Sequence, residues 1–274
     1  VIGILLNAFL FCIKFTVGFL SGSIAVISDA FNSLTDVVSS VMIYIAVHIA
    51  KKAPDKDHPY GHHRAEPLAG VIVAIFAGIL GFEILKQAIG GFFSARTIVL
   101  GQWVVAVLLV TILIKTIMAI WFLGQGRRLN SPALEASGVD SRDDVLVTSI
   151  ALIGVVCTKF GYPMLESIAA IIISLFIFYE SYKLGFENIN YLMGKAPSHN
   201  HVRRIERIAK DIPGVLGIRY GRAHYVGNYI HIELHIKVHK SYSLERAHNI
   251  REKVRRAIER LDDIDKAFVN IEPS

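Results

Sequence analysis

Six long apolar stretches make up most of the first 194 residues. They cover residues 2–20, 24–50, 68–93, 98–123, 140–160 and 164–184. A helix of about 20 residues is long enough to cross the hydrocarbon core of a bilayer. The pattern therefore predicts six transmembrane helices.

The pattern changes after residue 194. Two helical segments and three strand segments follow, at residues 201–210 and 244–261 and at 216–225, 229–239 and 267–272. Along residues 229–239, apolar side chains alternate with polar ones, which is typical of a strand with one buried face. The order predicts an αββαβ, ferredoxin-like domain with its helices on one face of the sheet.

The charged residues follow the same division. Lys and Arg number 29 and Asp and Glu 23, a net charge of +6, in a chain that is 53% hydrophobic. About 13% of residues 1–194 are charged, against about 33% of residues 195–274. We therefore expect a transmembrane domain over residues 1–194 and a cytoplasmic domain over residues 195–274.

The positive charges between the apolar stretches predict the topology. Lys51, Lys52 and Arg64 follow the second stretch, and Arg127 and Arg128 follow the fourth. Because cytoplasmic loops carry the excess of Lys and Arg, both termini should lie in the cytoplasm of a multi-pass cell-membrane protein. This topology explains the net charge without nucleic acid. The sequence has no P-loop, nucleophile elbow or dinucleotide motif, so we do not expect an enzyme.

The second and fifth stretches each carry a pair of polar residues that are costly inside a membrane. Asn32 and Asp36 lie in the second stretch, and Asp140 and Asp144 lie in the fifth. Each pair is spaced i, i+4, so both of its side chains lie on one helix face. Two opposed faces would offer four oxygen ligands at similar depth. Clustered carboxylates repel unless a cation or protons neutralise them, so we expect a divalent ion to bind in exchange for protons.

A structural explanation is also open. The carboxylates could belong to a network of ion pairs, which would include Lys14, Glu83, Lys86, Lys115 and Arg142. Two further acidic residues, Asp29 and Asp143, fit such a structural or supporting role better than a ligand role.

A polar loop follows the second stretch. It contains His58 and His62, with Asp55, Asp57 and His63 close by. His and Asp at such spacing can hold a divalent ion. The same loop could instead pack against the C-terminal domain without a metal.

Taken together, the six-helix array, the paired motifs on helices two and five, the loop HPYGHHRAE and the αββαβ tail resemble the cation diffusion facilitators, which are dimeric metal/proton antiporters. The resemblance covers essentially the whole chain. It implies a transport site at Asn32, Asp36, Asp140 and Asp144, a loop site at Asp55, His58 and His62, and a tail site at His235, His248 and Glu272. A solvated or dimer-facing row of histidines on the strand is the alternative for the tail.

Asn32 and Asp140 depart from the zinc-transporting members, which often have His at one or both of these positions. A ligand set of oxygen atoms favours a harder ion than zinc, so we expect Mn²⁺ first and Fe²⁺ second, with Zn²⁺, Co²⁺ or Cd²⁺ as alternatives. The expected partners are the metal ion, protons, the lipid bilayer and a second copy of the chain, with no resident cofactor. A channel, or a membrane-anchored metal sensor or scaffold, would be a different function.

Overall fold

A computed structural model describes residues 2–93, 102–129 and 132–274 of the chain. The membrane part contains helices α1 (Ile2–Ser21), α2 (Ile24–Ala50), α3 (Ala65–Phe93), α4 (Gln102–Leu129), α5 (Pro132–Lys159) and α6 (Met164–Leu192). The C-terminal part contains α7 (His199–Lys210), β1 (Gly217–Val226), β2 (Tyr229–Val238), α8 (Leu244–Ile258) and β3 (Ile264–Pro273). The predicted fold class is confirmed, although residues 98–101 of the fourth predicted span lie outside the described residues.

The chain forms two compact units. One contains Val1–Met42 and Ile72–Gly185, and the other contains Ile43–Val71 and Phe186–Ser274. The second unit thus includes the end of α2, the following loop and the start of α3 as well as the C-terminal domain. The domain boundary expected between residues 194 and 195 stays a prediction.

Five of the six helices in the membrane part, all except α5, are long and apolar enough to cross a bilayer. Helix α5 carries acidic residues in its first half. Its second half is nevertheless part of the bundle core, because Val147 and Ala151 pack with α2, α3 and α6, and Val155 packs with α1 and α4. The transmembrane region therefore consists of five helices that are apolar enough to span a bilayer and one, α5, that is more polar.

Two local features position the helices that carry the acidic pairs. The buried carboxylate of Glu166 accepts hydrogen bonds from Ser23 Oγ at 2.9 Å and from the Ala25 backbone N–H at 2.7 Å, at the N-terminus of α2. A carboxylate is favourable there because the helix dipole is positive at that end. Gly138 lets α5 approach α4, since a Cβ atom at this position would lie 2.6 Å from Cγ of Leu123.

The C-terminal domain has the predicted αββαβ order. Strand β2 lies in the centre of a three-stranded sheet, antiparallel to β1 and parallel to β3. The apolar residues of β2 are buried against α7 and α8, with Leu234 and Ile236 completely inaccessible. Both helices therefore cover the same face of the sheet, and the opposite face carries the polar residues of β2.

The loop after α2 packs against this domain at the turn between β1 and β2. The rings of His63 and Tyr229 are 4.6 Å apart, and Asn228 Nδ2 donates a hydrogen bond to Glu66. Gly227 in the turn has a φ of +64°, and a Cβ atom there would lie 2.1 Å from the carbonyl oxygen of His63. Only glycine fits this contact, because it has no Cβ and adopts positive φ at little cost.

Candidate metal centre

A cavity of about 240 Å³ lies among α2, α3, α5 and α6. Its polar lining consists of Asn32, Thr35, Asp36, Ser39, Asp140, Asp143, Asp144, Glu180 and Ser181. All four residues of the predicted transport site are thus in one cavity. The i, i+4 spacing explains this arrangement, because it places both members of each pair on the face that lines the cavity.

The deepest contact in the cavity joins α2 to α5. Asn32 Nδ2 donates a hydrogen bond of 2.7 Å to Asp144 Oδ1, and each of these residues is 7% exposed. Asp36 is about one third exposed and Asp140 is exposed. The four side chains therefore extend from a buried pair to an accessible one.

A lysine from α4 reaches the same carboxylates. Lys115 is 1% exposed, its ammonium group donates a hydrogen bond to Asp144 Oδ2, and it lies 3.5 Å from Asp36 Oδ2. Both oxygens of Asp144 consequently have a hydrogen-bond donor, the Asn32 amide on one and the Lys115 ammonium on the other. The alternative network of ion pairs is therefore partly present, and it contains Lys115.

Asp29 forms a second buried ion pair. Lys14 Nζ lies 2.9 Å from Asp29 Oδ1, which also accepts a hydrogen bond from Thr148 at 2.9 Å. Asp29 is inaccessible and does not line the cavity. This pairing agrees with the structural role expected for Asp29.

The remaining acidic groups of the cavity have basic neighbours on their own helices. Asp143 lies 3.2 Å from Arg142 and Glu180 lies 3.8 Å from Lys183. When all groups are ionised, Asp36, Asp140 and Asp144 contribute −3 and Lys115 contributes +1, a formal charge of −2. A divalent cation would balance this charge.

Glu180 lines the cavity but was not among the predicted site residues. The sequence does contain a signal for it, because an acidic residue within a membrane span is costly and usually functional. Glu83 and Lys86, which were candidates for the network, instead pair with each other at 3.7 Å and are exposed.

The loop residues Asp55, His58 and His62 come together as predicted. One ligand atom from each lies within 4.8 Å of the other two, and both histidines have a ring nitrogen 3.3 Å from the Asp55 carboxylate. Among the described residues, this is the one group of three or more His, Cys, Asp or Glu close enough to hold an ion. A backbone hydrogen bond from His58, supported by another from Asp57, holds the pKa of Asp55 below its usual value. The carboxylate is therefore ionised and available to a cation.

The predicted tail residues come together only in part. His235 Nδ1 lies 3.0 Å from Glu272 Oε1, and Nε2 of the same ring lies 3.2 Å from Glu233. His248 is exposed on α8, which packs on the opposite face of the sheet, so it does not join His235 within one chain. Hydrogen bonds that Glu233 and then Glu272 accept from the ring raise the pKa of His235. Arg219 also pairs with Glu272, so these carboxylates already have partners.

His231 is buried, so the alternative of a solvated row of histidines on the strand is wrong at this residue. It is 6% exposed, and its Nε2 lies 2.7 Å from Asp265 Oδ2. The rings of Tyr60 and His224 lie 5.9 and 5.8 Å from its ring. The loop after α2 therefore covers the start of the polar face of β2.

Comparisons with known proteins cover both parts of the chain. Residues 1–193 match the family of the cation efflux transmembrane domain, and residues 197–274 match that of the cation efflux protein, cytoplasmic domain. An uncharacterized transporter of Methanocaldococcus jannaschii is 34% identical, over 99% of this chain and 96% of that protein.

Two further relatives have more informative names. The manganese efflux system protein MneS of Bacillus subtilis is 27% identical, over 95% of this chain and 90% of its own length. The magnetosome protein MamB of a Magnetospira species is 29% identical, over 95% of this chain and 89% of its own length. With both of its parts matched, the chain belongs to the cation diffusion facilitator family of multi-pass membrane transporters, which move metal cations out across a membrane.

Proposed function

We propose that this protein exports a divalent transition metal ion, with Mn²⁺ preferred, from the cytoplasm in exchange for protons. The observation that carries the proposal is the cavity in which Asn32, Asp36, Asp140 and Asp144 meet. Its formal charge of −2, after Lys115 is counted, suits a divalent ion. Alternating access of this site to the two sides of the membrane would give transport.

The preference for manganese rests on the chemistry of the ligands. Asn32 and the three carboxylates offer oxygen atoms, and none of the residues that line the described cavity is a histidine or a cysteine. Manganese binds oxygen ligands well, whereas zinc prefers nitrogen and sulfur. The name of the Bacillus relative MneS supports the same choice. Fe²⁺ is the second candidate. Zn²⁺, Co²⁺ and Cd²⁺ are the alternatives for the same ligands and the same mechanism.

Proton exchange follows from the cost of an empty site. Three carboxylates cannot all stay ionised near one ammonium group in a membrane without a further cation, so protons should replace the departing metal. The positive loops suggest that both termini face the cytoplasm and that the metal leaves from that side. The C-terminal domain would join two copies into a homodimer, which cross-linking of the full chain in membranes can test.

The loop cluster is a second candidate metal site. Asp55, His58 and His62 already lie within reach of one ion, and they belong to the loop that packs on the β1–β2 turn. In the tail, His235 and Glu272 are the remaining candidates. We assign neither of these clusters to the transport step, because both lie outside the helices that form the cavity.

Uptake into reconstituted vesicles tests the proposal. Mn²⁺, Fe²⁺, Zn²⁺ and Cd²⁺ would be compared, with and without a pH gradient, for the wild type and for Asp36→Ala. We expect Mn²⁺ to be transported best, its uptake to be faster when the inside is more acidic than the outside, and the variant to be inactive. Equal uptake by the variant, or no dependence on the gradient, would contradict the proposal.

A further inference from the structure

Lys115 is the most unusual residue of the cavity region. It lies in the middle of an otherwise apolar helix, is 1% exposed and contacts two of the proposed ligands. An ammonium group costs several kcal/mol to bury unless it is paired. Lys14 is equally buried, but its partner Asp29 does not line the cavity, whereas both partners of Lys115 do. This difference points to a role for Lys115 at the site itself.

We propose that Lys115 is a tethered cation that competes with the transported metal ion for Asp36 and Asp144, and thereby keeps metal binding weak enough for release. This inference rests on the function proposed above. It assigns a role to a residue that is not itself a metal ligand, since an ammonium group has no lone pair.

The geometry supports competition rather than coexistence. A metal ion lies roughly 2.0–2.6 Å from its oxygen ligands. The Lys115 ammonium already contacts Asp144 Oδ2 and lies 3.5 Å from Asp36 Oδ2, so it occupies the space in which an ion bridging these two oxygens would lie. The second oxygen of Asp144 is bonded to Asn32. A metal that binds Asp144 must therefore share an oxygen with one of these two donors or displace it, and sharing with the Lys115 ammonium would place two cations side by side.

The formal charge of the cavity also supports competition between Lys115 and the metal ion. With Lys115 present, the cavity carries a formal −2, and without it the same three carboxylates carry −3. Removing the ammonium group should strengthen the attraction for a divalent ion and also remove the competitor. When the metal leaves, Lys115 can return to the carboxylates and lower the cost of the empty site.

Lys14 provides a matched control. It is also a lysine of a membrane helix, is likewise 1% exposed and forms a single ion pair with Asp29. Asp29 does not line the cavity. Lys14→Met therefore removes an ammonium group of equal burial whose ion-pair partner is not one of the proposed ligands.

The test is Mn²⁺ binding to the full-length protein in detergent, measured by calorimetry, with thermal unfolding as a check on folding. We expect Lys115→Met to bind Mn²⁺ about tenfold more tightly or better, Lys14→Met to match the wild type, and uptake by Lys115→Met to be slower at saturating Mn²⁺. Lys115→Gln, which keeps a donor for Asp144, should show the same direction of change.

The other outcomes would contradict either the role of Lys115 or the proposed function. Unchanged or weaker binding by folded Lys115→Met or Lys115→Gln would overturn the inference. So would loss of folding by both variants while Lys14→Met stays folded, because Lys115 would then be a structural partner. Failure of the proposed function is distinct, since the wild type itself would then neither bind nor transport Mn²⁺.

Discussion

Asp144 is the residue on which the buried part of the site depends. Its two oxygens accept from residues of two different helices, Asn32 of α2 and Lys115 of α4. Buried charges are tolerated when they are paired, and removing one partner leaves the other uncompensated at a cost of about 3–5 kcal/mol. Stability and transport should therefore be coupled at this position.

Asp144→Asn and Asp140→Asn should separate these two effects. We expect both variants to lose transport, because both remove a proposed ligand. Asp144→Asn should also lower the free energy of unfolding by about 3 kcal/mol, whereas Asp140→Asn, at an exposed position, should change it by less than about 1 kcal/mol. Denaturant unfolding and vesicle uptake would measure the two effects. Equal destabilisation by both variants would contradict the buried pairing.

His224 should make the C-terminal domain sensitive to acid. His224 is exposed, but partial desolvation of its ring, with smaller contributions from the charges of His231 and Arg64, lowers its pKa below the usual value of 6.5. The folded state thus favours the neutral ring, and this contribution to stability is complete above pH 6.5 and is lost as the pH falls through the lowered pKa. His224→Phe should show a smaller loss of thermal stability over that range. A pH profile identical to that of the wild type would refute this role.

At the scale of elements, the two acidic pairs were predictable because they depend only on helix periodicity. The spacing i, i+4 places Asn32 with Asp36 and Asp140 with Asp144 on single faces, whatever the tertiary structure. Their role as metal ligands stays a prediction. The contact with Lys115 was expected only as one of several possible ion pairs. Helix α4 is apolar on nearly every side, so its sequence does not fix which side faces α2 and α5.

The exposure of β2 was predicted incorrectly in part, for a similar reason. Its alternating pattern correctly identifies the face that packs on α7 and α8. The alternating pattern contains no information about a distant segment of the chain that covers the other face of the strand. The loop with Tyr60 packs there and buries His231, more than 160 residues later in the chain. Contacts of such long range depend on tertiary structure rather than on local pattern.

One substitution on each of α2 and α5 should change selectivity. Asn32→His and Asp140→His together would add two imidazole ligands to the cavity. Because Zn²⁺ prefers nitrogen ligands more than Mn²⁺ does, we expect the ratio of Zn²⁺ to Mn²⁺ uptake to rise about tenfold or more. Competition between the two ions in vesicles would measure the ratio. An unchanged ratio would mean that these positions do not set selectivity.

In the whole molecule, the distribution of charge separates an apolar first part from a charged C-terminal part. The apolar first part contains the cavity, and the charged C-terminal part has its own core around β2, α7 and α8. The two family matches separate at the same place, since one covers residues 1–193 and the other covers residues 197–274. We therefore expect transport to depend on the first part, which contains the cavity.

Metal/proton exchange at the cavity can be measured by following both ions in one experiment. Purified protein would be reconstituted into vesicles that contain a pH indicator, and Mn²⁺ uptake and internal pH would be followed after Mn²⁺ is added outside. We predict that internal protons leave as Mn²⁺ enters, and that Asp36→Asn abolishes both signals. Uptake of Mn²⁺ without proton movement, or both signals undiminished in the variant, would contradict metal/proton exchange at this cavity.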